Sequence, residues 1–341
     1  MSSLFKRVLN RYIGTAKHQF SRDASLAVGR NLPAVSRMTV KQAARLWEQH
    51  FLEHDIPEAR LSSQYIIAHV LGAKTLENVE QRRLAEFLTD AQTERVWELC
   101  SKRLTRMPVQ YVIEEWDFRE LTLKMRPPVF IPRPETEELV SLVLQDLQAQ
   151  PYGGKTGTTG LQCLEVGCGS GAISLSLLHG LPQLRAVAVD RSPEAVSLTR
   201  ENAMRLGLQD RLHIHQLDVT KDGSEIVETC GVAQVLVSNP PYLFTQDMEI
   251  LEEEILRFED HRALDGGGEG LSVIGAILGL APQLLSEQGR VYLEVDPRHP
   301  PLIQEWVEQR TVGLQYVETR CDITERPRFC ILQKGEKRRG Q

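Results

Sequence analysis

The groups most able to do chemistry in this chain sit in Asn239-Pro240-Pro241-Tyr242, directly after the apolar run Val235-Leu236-Val237. Asn239 offers a side-chain carbonyl, and the ring of Pro240 restricts the backbone so that its own carbonyl keeps one direction. Two acceptors set this way can take both hydrogens of a planar amide or amino group. Tyr242 supplies an aromatic face to stack on that group. The matching chemistry is in-line attack by nitrogen on a methyl carbon carried by a sulfonium. An amide nitrogen is a weak nucleophile because its lone pair is delocalised. The acceptors must therefore favour a pose in which that pair develops towards the methyl carbon, and must stabilise charge growing on nitrogen. No strong base is required beforehand, since a proton can leave after attack. A plainer interpretation is a proline-rich strand exit whose asparagine only holds the turn.

A second constellation lies upstream in Glu165-Val166-Gly167-Cys168-Gly169-Ser170-Gly171. Glycines at 167, 169 and 171 remove side chains where a strand must turn into a helix, so the backbone can approach a ligand with free N–H groups. This is not the phosphate-loop pattern, because the spacing differs and no Lys-Ser or Lys-Thr pair follows. Asp190, after Val187-Ala188-Val189, is placed to accept from ribose hydroxyls, and Asp218 to accept from an adenine amino group. An acid about 20 residues after such a turn serves a dinucleotide equally well, so that cofactor stays open, as does a tight turn with a surface acid. Cys168 has no base or orienting residue in sequence and reads as loop packing rather than a nucleophile.

The elements around these residues alternate. Strands are expected at Leu161–Val166, Arg185–Val189, Leu212–Leu217, Val232–Val237 and Val291–Val295, with helices at Ala172–Leu178, Pro193–Leu206, Leu271–Leu285 and Leu302–Gln309. Tyr316–Glu318 and Phe329–Leu332 would add a late antiparallel edge. That order predicts an α/β fold with helices on both faces of a mostly parallel sheet, spanning residues 135–341. Residues 39–106 read as a small helical domain: Thr39 caps a helix carrying Val40, Ala43, Ala44, Trp47, Phe51 and Leu52 at helical spacing. Further helices follow from Leu61 to Leu71, from near Asn78 or Glu80, and from Asp90 to Arg103. Residues 107–134 form a connector in which Tyr111-Val112-Ile113 and Leu121-Thr122-Leu123 are expected to pair as a hairpin. Arg133, Pro134 and Glu135 then lead into a helix to Gln148, and 151–160 is a loop rich in glycine and threonine.

Composition bounds the class. A hydrophobic fraction of 41% and a charged fraction of 25% are those of a globular protein, and no apolar run approaches the roughly 20 residues that span a bilayer. The six cysteines are scattered without metal-ligand spacing, so neither a disulfide framework nor a metal site is expected. The first segment, residues 1–38, carries Lys6, Arg7, Arg11, Lys17, Arg22, Arg30 and Arg37 against the single acid Asp23. Basic, acid-poor and amphipathic, it reads as a mitochondrial transit peptide rather than a secretory signal, which would place the protein in the mitochondrion and its matrix; a disordered or domain-packing tail is the plainer alternative. Seven bases against one acid leave that segment at +6, so a chain at −6 leaves −12 for the rest. Such a body repels nucleic-acid phosphates on average, and no stable nucleic-acid binding is expected.

These stretches together resemble the HemK/PrmC family of release-factor glutamine methyltransferases. Besides the two motifs, Pro108-Val109-Gln110-Tyr111, Ile131-Pro132-Arg133-Pro134-Glu135-Thr136-Glu137 and Ala263-Leu264-Asp265-Gly266-Gly267 are similar to family segments. The resemblance covers nearly everything after Thr39. It implies a class I S-adenosyl-methionine-dependent fold with an N-terminal helical domain that helps hold the substrate, a class I peptide-chain release factor. By the same resemblance Glu165, Gly167, Cys168, Gly169, Gly171, Asp190, Asp218 and Asn239 lie along S-adenosyl-methionine. Asn239, Pro240 and Tyr242 hold the glutamine of a Gly-Gly-Gln loop, and Arg133, Pro134, Glu135 and Pro241 shape its channel. With the basic leader, the implied partner is a mitochondrial release factor. One departure is Glu114, where relatives commonly have glycine; an L-residue there is expected to alter the turn. An adenine-N6 methyltransferase shares the turn chemistry but lacks support from the acidic body, and a non-catalytic scaffold would not require both motifs intact.

Overall fold

The computed structural model describes residues 37–149, 160–310 and 313–335. The expected leader lies outside these residues except for Arg37 and Met38, as does the 151–160 loop except for Gly160. The chain divides into two compact units, one formed by 37–114 with Glu253–Phe258 and the other by the remaining described residues.

In the first unit, α1 (Val40–Glu53), α2 (Ala59–Val70) and α3 (Asp90–Leu104) carry the core. Thr39 and Thr89 each open a helix with a reciprocal cap: the threonine oxygen accepts the N–H three residues on, and Gln42 or Gln92 reaches back to the threonine N–H. Trp47 and Trp97 meet edge-to-face at 5.2 Å between ring centroids, beside Phe51. No full helix begins near Asn78 or Glu80; that stretch makes only short 3-10 turns at Leu76–Asn78 and Arg83–Ala85. Its backbone is engaged elsewhere, since Val40 N–H donates to Glu86 O and Leu88 N–H donates to Met38 O.

The hairpin starts later than its β-branched residues suggest. Pro108 sets up the short helix α4 (Val109–Val112), which buries Val109, Tyr111 and Val112. Packing overrides strand propensity there. Strand β1 (Glu115–Phe118) pairs with β2 (Leu121–Lys124) instead. Between α4 and β1, Glu114 adopts φ +60°, so the L-residue takes the left-handed conformation that glycine would supply.

The second unit is built on a seven-stranded sheet in the order β5-β4-β3-β6-β7-β9-β8. Its strands are β3 (Gln162–Val166), β4 (Arg185–Asp190), β5 (Leu212–Gln216), β6 (Ala233–Ser238), β7 (Leu285–Glu294), β8 (Leu314–Cys321) and β9 (Pro327–Lys334). Strands β3 to β7 run parallel, and β9 lies antiparallel between β7 and β8. Leu164, Val166, Leu236, Val291 and Leu293 share one face. They bury the apolar sides of α8 (Gly223–Cys230), α10 (Ser272–Leu284) and α11 (His299–Arg310), through Ile226, Ile274, Ile277, Leu278, Ile303 and Val307. Glu165, Val237 and Tyr292 are in register on the other face. There α6 (Ala172–Gly180) meets Glu165 through Ser174, and α5 (Pro134–Ala149) meets β7, where Tyr292 and Arg290 both donate to Asp146. Helix α7 (Pro193–Arg205) follows β4. The order reverses between β3 and β6, so the carboxyl ends of these neighbours flank the crevice where such sheets bind ligands.

Candidate active site

The loops after β3 and β6 are stapled together at that reversal. Ser238, fully buried, donates its hydroxyl to Val166 O at 2.5 Å. Gly167, Gly169 and Gly171 all have positive φ, at +80°, +55° and +84°. They need glycine for different reasons. A Cβ on Gly171 would come within 2.8 Å of Leu175, whereas one on Gly169 would meet nothing within 4 Å and would project into open space. Helix α7 holds the loop from the side: Thr199 donates to Gly169 O at 3.0 Å and Asn202 to Ser170 O at 2.9 Å.

Asp190 lies at the end of β4 and accepts from Gly169 N–H at 3.0 Å and Ser192 N–H at 2.8 Å. Each carboxylate oxygen keeps a second lone pair for a hydroxyl. Burial raises its pKa, and the two backbone bonds oppose that rise. Asp218 accepts from Thr220 N–H and Oγ1. Burial acts against its ionisation, yet the Thr220 bonds with Arg191 and Lys221 hold its pKa below the ordinary value.

A cleft of about 820 Å³, counting its open mouth, joins these groups. Gly167, Gly169, Asp190 and Asp218 line it together with Asn239, Pro240 and Pro241. Val166, Val189, Leu217, Val219 and Val273 give it an apolar wall. Two open glycines, two acceptor carboxylates and a flat apolar wall suit a nucleoside with a charged tail, so the residues fit S-adenosyl-methionine.

Other expected site residues lie off the cleft wall. Glu165 is buried under the loop and accepts from both N–H and Oγ of Ser174. Cys168 is also buried, with its sulfur 3.4 Å from Thr199 Oγ1. Burial pushes that thiol well up, as befits packing rather than nucleophilic attack. Tyr242 does not face the cleft. Its ring packs against the sheet core and its hydroxyl donates to Glu294 at 3.4 Å. Arg133 also stands back, donating to the buried Glu259 at 2.6 Å and lying 4.7 Å over the ring of Phe130, which does line the cleft. Pro134 and Glu135 form the first turn of α5.

The Asn-Pro-Pro-Tyr loop after β6 rests on the glycine segment that follows it. Leu243 N–H donates to Leu264 O, Gly266 N–H to Leu243 O and Thr245 N–H to Gly267 O. Sequence reasoning missed three contributors. Asp260 lines the cleft, held by Arg262. Thr136 accepts from Asn239 Nδ2 at 3.0 Å and donates to Glu294 at 2.7 Å. Thr136 stood inside the quoted Ile131–Glu137 stretch, and Glu294 at the end of an expected strand; only their meeting across 158 residues was invisible.

A glycine turn after β3, an acid after β4 and Asn-Pro-Pro-Tyr after β6 define a class I S-adenosyl-methionine-dependent methyltransferase. Comparison with known proteins narrows this. Residues 122–295 match the methyltransferase small domain family and 42–113 the PrmC N-terminal domain family. The chain is 52% identical over 291 residues to the MTRF1L release factor glutamine methyltransferase of Homo sapiens, covering 85% of this chain and 86% of the human protein. It is 34% identical over 280 residues to the release factor glutamine methyltransferase of Deinococcus radiodurans, covering 82% of this chain and 93% of that one. The chain belongs to the HemK/PrmC family of release-factor glutamine methyltransferases, and is a protein-glutamine methyltransferase that uses S-adenosyl-methionine.

Proposed function

We propose that this chain methylates the side-chain nitrogen of the glutamine in the Gly-Gly-Gln loop of a mitochondrial class I release factor, giving N5-methylglutamine. The observation that carries it is the convergence of Asn239 and Pro240 with Gly167, Gly169, Asp190 and Asp218 on one cleft. Asp190 holds ribose, Asp218 holds the adenine amino group, and the two glycines leave room for the methionine portion. S-adenosyl-methionine supplies an electrophilic methyl carbon on its sulfonium. Asn239 Oδ1 and Pro240 O accept the two amide hydrogens, which turns the nitrogen's developing lone pair towards the donor side and stabilises its growing positive charge. Tyr242 supports the clamp from the core, and Phe130, braced by Arg133, bounds the channel by which glutamine arrives.

The mitochondrial reading draws on the basic leader and on identity with the human protein. Residues 1–38 fused to a reporter should carry it into the matrix; a cytosolic reporter would end that assignment. For the substrate, purified protein is mixed with labelled S-adenosyl-methionine and candidate release factors, and the modified residue located by mass spectrometry. Label on the Gly-Gly-Gln glutamine is expected. Label only on duplex DNA run in parallel would move the assignment to an adenine-N6 methyltransferase.

A further inference from the structure

Asparagine is a poor clamp unless something decides which end of its amide faces the substrate. Half a turn about χ2 exchanges acceptor for donor at nearly equal shape. With Nδ2 turned into the cleft, N–H would face the N–H groups of a substrate amide, and the clamp would repel what it must hold. Nothing in Asn239 or Pro240 prevents this; a buried chain of groups does.

Thr136 is 3% exposed and Glu294 1% exposed. A carboxylate only accepts, so the single hydroxyl proton of Thr136 is committed to Glu294 Oε2 at 2.7 Å. What Thr136 then presents to Asn239 is a lone pair, and Nδ2 donates to it at 3.0 Å. The acceptor Oδ1 is thereby the end left for the cleft that Asn239 lines. Glu294 sits at the end of β7, next to β6, which leads directly into Asn239.

We propose that Thr136 and Glu294 are positioning residues for methyl transfer, fixing the Asn239 carboxamide with its carbonyl towards the substrate nitrogen. This rests on the reading of Asn239 as the glutamine clamp. It adds a condition on charge: only ionised Glu294 compels Thr136 to donate towards it. A protonated Glu294 can donate to Thr136 instead, freeing the hydroxyl proton to face Asn239 and admitting the reversed amide. The groups facing Glu294 are Thr136 and Glu135 from α5, Tyr242 from the clamp loop and Arg328 from β9. Burial pushes Glu294 up to about 7 against the bonds from Thr136 and Tyr242 and the charge of Arg328, with Glu135 adding to the rise. Turnover in the wild type therefore falls as pH drops through about 7.

The test measures kcat and KM for a release factor, the Kd for S-adenosyl-methionine and the pH profile of kcat, on the full chain. Thr136→Val should lower kcat about tenfold to a hundredfold while leaving KM and cofactor Kd within about threefold. Thr136→Ser, which keeps the hydroxyl, should restore most of the rate. Glu294→Gln should lower kcat and abolish the acid limb, and it serves alone if the valine variant does not fold. Wild-type kcat in Thr136→Val, failure of serine to rescue, or an unchanged acid limb in Glu294→Gln would each overturn the proposal. Asn239→Ala in parallel separates the two levels: if it keeps turnover the clamp reading itself has failed, and if it is inactive while Thr136→Val is normal, only the positioning claim falls.

Discussion

Gly266 lies so close to Pro241 that a Cβ built on it would sit 2.7 Å from the Pro241 carbonyl oxygen, and 2.6 Å from that of Gly270. Both neighbours are backbone, so neither can swing aside. A methyl group at 266 must push the clamp loop towards the cleft or push the glycine segment out. Gly266→Ala should therefore destabilise the fold by about 1–3 kcal/mol, as overpacking does, and lower kcat because Pro240 moves. Gly268→Ala is the control, since a Cβ there meets nothing within 4 Å. Thermal melts and turnover of the two variants check this; equal behaviour would show that the loops give way easily.

The clamp and the cofactor groups line one cleft but should fail differently. Asn239→Ala removes the proposed acceptor for charge developing on nitrogen, and kcat should fall about 10²- to 10³-fold with cofactor binding still measurable. Asp190→Ala removes the proposed ribose partner and also frees Gly169 N–H and Ser192 N–H. Its Kd for S-adenosyl-methionine should rise at least about tenfold. Calorimetric titration of both variants separates the effects, and unchanged cofactor affinity in Asp190→Ala would remove the ribose assignment.

Glu114 is exposed and left-handed at φ +60°. That conformation costs an L-residue about 1–2 kcal/mol, while glycine gives back part of the gain through its freer unfolded chain. Glu114→Gly should stabilise by about 0.5–1 kcal/mol and leave activity unchanged. A melting temperature below that of the wild type would mean the turn is not where the strain resides.

In the helical unit, Arg103 is 3% exposed and donates to Glu254 Oε1 at 3.2 Å, Ser62 Oγ at 3.1 Å and Pro57 O at 3.0 Å. Removing one partner of such a buried pair strands the other charge. Glu254→Ala should cost about 3–5 kcal/mol, whereas Arg103→Met with Glu254→Leu should recover much of it. Urea unfolding of the single and double variants decides; a single variant at wild-type stability would show that solvent reaches Arg103.

How far the sequence disclosed this molecule depended on the range of the interaction. Short apolar runs placed β3 to β6 to within a residue or two, because strands covered on both faces and the glycine turns leave local signals. Thr39 announced its cap for the same reason. Tyr111-Val112-Ile113 misled because strand propensity lost to burial of Tyr111 and Val112 in a short helix. The short helices α8 and α9 (Glu253–Phe258) were not anticipated, having too few turns to show a period. Tyr242 has the face of a stacking group, yet its ring packs against the sheet core and its hydroxyl donates to Glu294. The Thr136–Glu294 pair could not be seen at all, since α5 and β7 meet only in the folded sheet.

Glu165 supplies a test in pH. It is fully enclosed at the end of β3, and burial pushes it up to about 8, with Asp190 adding to the rise and the Ser174 bonds opposing it. In the unfolded chain the same carboxyl titrates near its ordinary value of 4.5. Between those two values the native state binds a proton that the unfolded state does not, so raising the pH favours unfolding. Stability from this group is complete below 4.5 and is lost as pH climbs to about 8. Glu165→Gln carries no titrating proton and keeps an oxygen that accepts from Ser174. Unfolding free energies from urea at pH 5 and pH 8 should therefore fall less in Glu165→Gln than in the wild type. Parallel losses in the two proteins would mean that Glu165 is ionised throughout, held as a carboxylate by Ser174 despite its burial.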